Sequence, residues 1–403
     1  MKKIWPFGFY FWQYAGIAFL TPFFVLYFQS LGFDGFQIGL LTGLSPLLTL
    51  VSAPLWTGLA DATRGHRWVL SLTLAGTSLA ALIFPALRTF VPVLLIVAVY
   101  SIFYAPIASL ADSASMTLLG DARDRYGRLR LGGTFGFGLA APIAGQLVQR
   151  YGLAAAFWGF AVTFLIGLGV SQKIWSPGAL RAAPGGAAVM SGSRALMTNP
   201  RWLLFLVGAF GGGLSLVAAN TYLFAYFKEL GATETTMGFA LTLSTIFEVP
   251  LLFFGHHLLR WLKADRVFLA ALVLMGVRML LNAAAGTVTQ ALLIQLTAGL
   301  AFPMMWLGGV AYSAESAPAG LSATAQGMFS AAVLGVGCAV GGVLGGLLLG
   351  SYGAHTLYLV FGLVVLGLVA VVALAGRLLP SAPVAPAPAL RASSENCDQH
   401  GLG

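Results

Sequence analysis

Tyr27-Phe28-Gln29-Ser30-Leu31-Gly32, with Gly39 further on, returns 199 residues later as Tyr226-Phe227-Lys228-Glu229-Leu230-Gly231, with Gly238 further on. Three residues of slippage later, Ser52-Ala53-Pro54-Leu55 meets Glu248-Val249-Pro250-Leu251. Both copies of the first motif close a long apolar run, as a duplicated six-helix unit would leave them. Of the 403 residues, 59% are hydrophobic and 8% charged. A soluble domain carries about 25% charged residues, and a soluble core of this size could not hide so much apolar surface. Lipid removes that problem. Runs of about 20 apolar residues span a bilayer, and they fall at 7–30, 36–60, 68–87, 90–118, 129–150, 154–172, 201–227, 235–259, 266–285, 288–314, 322–349 and 354–378. In lipid every backbone group must be paired internally, so such runs are helices or barrel strands. These are twice a barrel strand's length and do not alternate. The reading is an all-α polytopic membrane protein of about twelve transmembrane helices in two pseudo-symmetric six-helix bundles.

The net charge of +9 invites a nucleic-acid partner. Such binding needs basic residues gathered on one face, whereas here they sit in short loops, so no nucleic acid is expected. Lys and Arg mark the cytoplasmic side of a membrane protein. Seventeen of them take the N-terminus, alternate loops and the tail, against Arg88, Arg150 and Lys228 on the other side, which puts both termini in the cytoplasm. Lys2 and Lys3 precede an apolar stretch at 7–28 that is too long for a signal peptide and lacks its cleavage site, so it reads as an uncleaved first helix in the cell's inner membrane. Residues 1–172 form the first bundle and 201–378 the second. Residues 173–200, with Ser176-Pro177-Gly178 and Pro184-Gly185-Gly186, form a flexible cytoplasmic linker. The Pro-rich stretch 379–403 forms a disordered cytoplasmic tail. Cys338 and Cys397 offer neither metal spacing nor a disulfide framework. No cofactor is called for.

Between the second and third spans runs Thr57-Gly58-Leu59-Ala60-Asp61-Ala62-Thr63-Arg64-Gly65-His66-Arg67. It resembles the glycine–aspartate–basic loop of the major facilitator superfamily, with the first glycine displaced to Gly58 and one residue inserted before Gly65. Tyr126-Gly127-Arg128-Leu129-Arg130-Leu131-Gly132-Gly133-Thr134-Phe135-Gly136-Phe137 opens the fifth helix, and Ala323-Thr324-Ala325-Gln326-Gly327 lies in the eleventh. Both are similar to the phenylpropionate permease-like and lactose permease-like branch of proton symporters. The resemblance implies alternating access by two bundles rocking about a midplane site. It also implies a cytoplasmic gate of Asp61 with Arg64 or Arg67; the plain alternative is a solvated loop.

Ionisable residues inside spans are costly and should face the bundle interior with partners. Asp112, Glu248 and Arg278 qualify. Ser244 and Thr245 place hydroxyls one turn from Glu248, and Asn282 lies one turn from Arg278. The lactose permease-like pattern implies substrate and proton-coupling roles for Glu248 and Arg278; the plain alternative is a buried structural ion pair. Thr42, Ser45, Thr49 and Ser52 form a polar stripe that should line a wet cavity. Asp112 shares a helical face with Tyr104 and Tyr100 and should pair with Arg128 or Arg130 as a cap or gate. Gln13, Asn220 and Gln326 are uncharged polar residues in spans that line the cavity in the superfamily, though helix-to-helix hydrogen bonding would account for them equally well. The symporter pattern puts a histidine in the tenth helix where this chain has Ala298. His256 and His257 read as interfacial. The ladder Gly337, Gly341 and Gly345 reads as packing.

The function these residues imply is secondary active transport of a small polar or organic-acid solute, with proton-coupled import as the expected mode. Efflux antiport, or sensing without transport, are the alternatives. Expected partners are the solute, protons and the lipid bilayer, for a chain acting as a monomer. With no serine, cysteine or metal-type cluster at a membrane face, no enzyme is expected.

Overall fold

The computed structural model of the protein describes residues 4–119, 126–174, 196–317 and 321–378, with the side chains of 252–257 excepted. Most of the expected linker, the whole expected tail, and the side chains of His256 and His257 lie outside the described residues. Every described element is helical. The first half comprises α1 (Ile4–Ser30), α2 (Gly35–Thr63), α3 (His66–Ala86), α4 (Phe90–Leu119), α5 (Tyr126–Tyr151) and α6 (Ala154–Ser171). The second comprises α7 (Pro200–Asn220, continued by Leu223–Glu229), α8 (Glu234–Ile246 and Glu248–Trp261), α9 (Ala264–Ala284) and α10 (Val288–Ser316). The last run, Ser322–Leu378, is two helices, α11 and α12, parted at Gly353, whose φ of 80° and ψ of 173° leave the helical region. Ten described runs are long and apolar enough to cross a membrane. The last of them supplies two crossings, and α8, interrupted at Phe247, supplies the twelfth.

The repeated motif does the same work in each half. Gly32 and Gly231 take φ of 78° and 81°, the left-handed turn that ends a helix at low steric cost. Each is followed by a side-chain cap. Asp34 accepts from the Gln37 backbone N–H at 2.8 Å while the Gln37 side chain accepts from the Asp34 N–H at 3.1 Å, a capping box. Thr233 caps α8 by accepting from Thr236 N–H at 3.3 Å. The motif's tyrosine then ties the first helix of its half to the third. Tyr27 donates to the Phe84 carbonyl at 2.7 Å, and Tyr226 to the Asn282 carbonyl at 2.8 Å.

The halves meet along α2 against α11 and α5 against α8. Exchanging the halves turns α2 into α8 and α11 into α5, so the two seams are related by the pseudo-symmetry. Along the first seam a Cβ on Gly342 or Gly346 would run into the backbone of Gly43 or Gly39. Gly341 and Gly337 likewise lie against Leu214 and Gly213 of α7, and Gly345 against Tyr222 just after it. The glycine ladder is thus a packing device, letting backbones approach as membrane helices require. In the first bundle an aromatic core holds the helices together, with Phe84 and Phe157 stacked at 5.2 Å and Phe160 and Phe164 at 4.0 Å.

Continuous spans are expected, and six of the twelve are interrupted or distorted inside their length, besides the 3₁₀ turn Phe84–Ala86 that ends α3. α1 tightens into a 3₁₀ turn at Thr21–Phe23. The helical segments within α4, α7 and α10 break at 105–106, 221–222 and 296–297. α8 breaks at Phe247, and α11 widens into a π-helix at Ala331–Gly337. α1, α4, α7 and α10 recur every third helix, so four breaks obey the repeat. Pro22 and Pro106 lack the N–H that would continue the ladder; the other two breaks contain no proline.

Candidate functional site

The breaks converge on two adjoining chambers between the halves. The larger, about 480 Å³, is walled by Phe24, Phe28, Tyr100 and Tyr104 with Thr42, Ser45 and Thr49 opposite. The smaller, about 200 Å³, contains Glu248, Arg278, Gln295 and Thr134. Tyr14, Ile17, Leu216 and Asn220 border both. Thr21, Tyr104 and Thr221 bring three broken helices to the larger chamber, and Gln295 with Ala298 bring α10 to the smaller. Unwound backbone is tolerated at membrane depth where it lines such a cavity. Three residues of the expected polar stripe line the larger chamber, whereas Ser52 is buried. Thr42 bonds the Tyr222 hydroxyl at 3.0 Å and Ser101 donates to Ser45 at 2.8 Å, so the stripe also ties helices together.

Glu248 and Arg278 share the smaller chamber but are not paired, so the buried ion pair raised as the plain alternative is not formed. Arg278 donates through Nη2 to Gln295 Oε1 at 2.5 Å, and Thr134 donates to Glu248 Oε1 at 3.4 Å. The reason lies in α10. Gly299 lets it press on the backbone of Ser244 and Glu248, and one turn earlier its Gln295 reaches Arg278 first. Gln295 and Thr134 were not singled out in the sequence. An uncharged polar residue in a span is a weak signal by itself.

Asp112 also leaves its expected face, because Pro106 breaks α4 between it and Tyr104. Tyr104 stays on the larger chamber, stacked on Tyr100 with centroids 5.4 Å apart. Asp112 instead accepts from Tyr10 at 2.6 Å and lies 3.8 Å from Arg130. Arg130 donates to the hydroxyls of Tyr126 at 3.1 Å and Tyr14 at 3.3 Å. Arg128 is exposed on α5 and is not in that cluster.

Of the uncharged candidates, Asn220 reaches both chambers, donating to the Leu216 carbonyl at 3.0 Å. Gln13 is buried with an unpartnered Oε1, and Gln326 donates to Ser322 at 3.2 Å; neither borders a chamber. Asn282 is fully buried behind Arg278, its two amide atoms unpartnered. The expected contact of Asp61 with Arg64 or Arg67 is not formed. Arg64, at φ 51°, ends α2 and turns the chain so that His66 Nε2 lies 2.7 Å from Asp61 Oδ1. Arg67 donates to Gln172 at 2.9 Å instead.

Hydrogen bonds between the halves run from Thr235 with Gln149, through Thr242 with the Gly138 carbonyl, to Thr134 with Glu248. Phe23 packs edge-on against Phe224 at 4.8 Å on the same side. The end away from the basic loops is thereby closed over the chambers.

Two pseudo-symmetric six-helix halves around a central cavity are the architecture of a membrane transporter. The profile of the MFS_1 like family matches residues 4–360, and the chain belongs to that family. A maltose permease of Geobacillus stearothermophilus is 25% identical over 378 residues, covering 93% of this chain and 95% of that one. An uncharacterized transporter, YwbF, of Bacillus subtilis (strain 168) is 26% identical over 364 residues, covering 88% and 89%. The crystal structure of the nucleoside transporter NupG superposes with a TM-score of 0.78 at 19% identity, covering 93% of this chain and 98% of that one.

Proposed function

We propose that the protein is a proton-coupled importer of a small polar or organic-acid solute, acting as a monomer in the cell's inner membrane with both termini in the cytoplasm. The observation that carries the reading is Glu248. It sits in the wall of the smaller chamber, held by a neutral hydroxyl and, among the described residues, in no ion pair. A carboxyl so placed can be neutral in one step of a cycle and charged in another, which a proton carrier needs. The basic loops assign the open side to the cytoplasm, so the state described faces inward. Asp61 with His66, at the basic end of α2, is the counterpart of the family's cytoplasmic gate.

Purified protein in vesicles with a trapped pH dye tests this. Sugars, nucleosides and organic acids are added outside in turn. At least one should be taken up together with protons. Glu248→Gln, permanently neutral, should fold and exchange that solute across the membrane but lose accumulation driven by a pH gradient. Uptake with no proton movement, or full gradient-driven accumulation by Glu248→Gln, would overturn the coupling role. Proton release on solute entry would make the protein an antiporter.

A further inference from the structure

Between the first turns of α7 and the last turns of α12 lies an apolar cleft of about 370 Å³, lined by Pro200, Leu203, Leu204, Val207, Ala375 and Leu378. None of these residues borders either chamber. Leu203, Val207 and Leu378 are exposed, so the cleft opens outward, onto the bilayer, at the basic end. In the first half the matching place is filled. Trp12 of α1 packs on Gly167 of α6, and Gly211 of α7 on Leu368 of α12. The repeat therefore runs at offsets of 199 residues for the first helix of each half and 201 for the last. Six or seven residues nearer the basic end, that registration sets Leu204 where α1 has Trp5, and Leu374 beside Ala375 where the chain just after α6 has Lys173. There the Lys173 ammonium lies 4.1 Å over the Trp5 ring, a cation–π contact that closes the gap between the two helices. Leucine and alanine in place of that pair leave the second half its cleft.

We infer that the cleft binds an anionic phospholipid of the basic-side leaflet. One acyl chain takes the place that the Trp5 indole has in the first half, and the phosphate lies by Arg377. An apolar gap facing hydrocarbon forfeits dispersion contacts on one side, and an acyl chain restores them. Arg377 is exposed in the last turn of α12, where its long stem carries the guanidinium to headgroup level. It answers to the Lys173 ammonium at the mouth of the first half's gap. Arg201 adds positive charge in the first turn of α7, and no Asp or Glu occurs at 196–227 or 354–378 to oppose an anion on these two helices. The basic loops place this end in the cytoplasm, whose leaflet is the negatively charged one and attracts basic residues beside a span. The site shares no residue with the chambers, so it stands whether or not the transport reading does.

Purified full-length protein, titrated with phosphatidylglycerol and with phosphatidylcholine of the same acyl chains, tests this. The readouts are the unfolding temperature and, by native mass spectrometry, the lipid retained per chain. Phosphatidylglycerol should bind more tightly and stabilise more. Arg377→Gln should weaken its binding about fivefold, the worth of one arginine beside an anionic headgroup. Arg88→Gln, at the opposite end, should change nothing; an equal loss there would mean that only net charge matters and would overturn the site. Ala375→Trp fills the cleft from within and should lower the retained phosphatidylglycerol by one per chain. Trp5→Ala should do the reverse, opening the matching gap beside Lys173 and adding one. No added lipid in Trp5→Ala would break the comparison between halves on which the inference stands. Equal binding of the two lipids, or a preference that survives both Ala375→Trp and Arg377→Gln, overturns it outright. So does full competition by sn-glycerol 3-phosphate, which has the head without the chains and would mark a phosphate pocket only. Where Ala375→Trp does not fold, the wild-type lipid comparison and Arg377→Gln decide.

Discussion

Arg278 has a neutral partner where a carboxylate would serve its stability better. A charged residue at the bilayer centre costs about 2.5–3.5 kcal/mol on insertion scales, and Gln295 returns part of that through a charge-assisted bond. Gln295→Leu should therefore lower stability by about 1.5–3 kcal/mol, the worth of a hydrogen bond to a charged group, read as a fall in unfolding temperature. Gln295→Glu is the more informative change. It gives the arginine a permanent internal anion, so it should raise the unfolding temperature and weaken binding of any organic-acid solute. A variant that is both more stable and fully binding would show that Arg278 does not need to be free. Glu248 and Arg278 were individually legible in the sequence, because an ionisable residue in an apolar run stands out. Their separation was not, since it depends on α10 pressing on α8 through Gly299, a contact between segments that no local pattern encodes. For the same reason Asp61 stood out in the sequence and its partner His66 did not: the left-handed turn at Arg64 decides it. Asp61→Asn should slow turnover far more than it weakens solute binding, because a contact at the basic end acts on the balance between two states and not on the solute. Vesicle turnover compared with equilibrium binding checks this.

Helix number, order and pairing into halves followed from apolar length and the repeat, because lipid allows few alternatives to a helix. The interruptions were less legible. Pro22 and Pro106 mark two of them, but Pro46, Pro54 and Pro142 lie inside continuous helices, and the breaks at 221–222 and 296–297 carry no proline. Neighbouring helices and the chamber decide which residues unwind. The seam between α2 and α11 offers a test at this scale. A side chain on Gly39 would meet the backbone of Val343, so Gly39→Val must part the helices at the closed end. It should shift the protein toward a state open at that end. With Cys338→Ser and Cys397→Ser removing the native thiols, Asn220→Cys reports the shift. Without Gly39→Val it should react with an impermeant thiol reagent from the basic side, and with Gly39→Val it should also react from the opposite side. Unchanged one-sided reactivity would show that this seam does not hold the closure.

As a whole, the molecule is two similar bodies joined by seams that lie on one side of a shared chamber, and that asymmetry is what the proposed alternating access would have to reverse. If the halves move as units, the contacts at the closed end must part in every cycle. Gln149 of α5 and Thr235 of α8 touch there, with side-chain oxygens 2.5 Å apart. Cysteines at both positions in the thiol-free background, joined by a short bifunctional reagent, would hold that end shut. The chambers would remain reachable from the basic side, so solute binding should persist with little change. Uptake should cease, because the other state is no longer accessible, and a cleavable linker should restore it on reduction. Loss of both binding and uptake would point to distortion of the site. Continued uptake by the fully cross-linked protein would mean that the solute crosses without the halves separating, and the rocking mechanism would have to be abandoned.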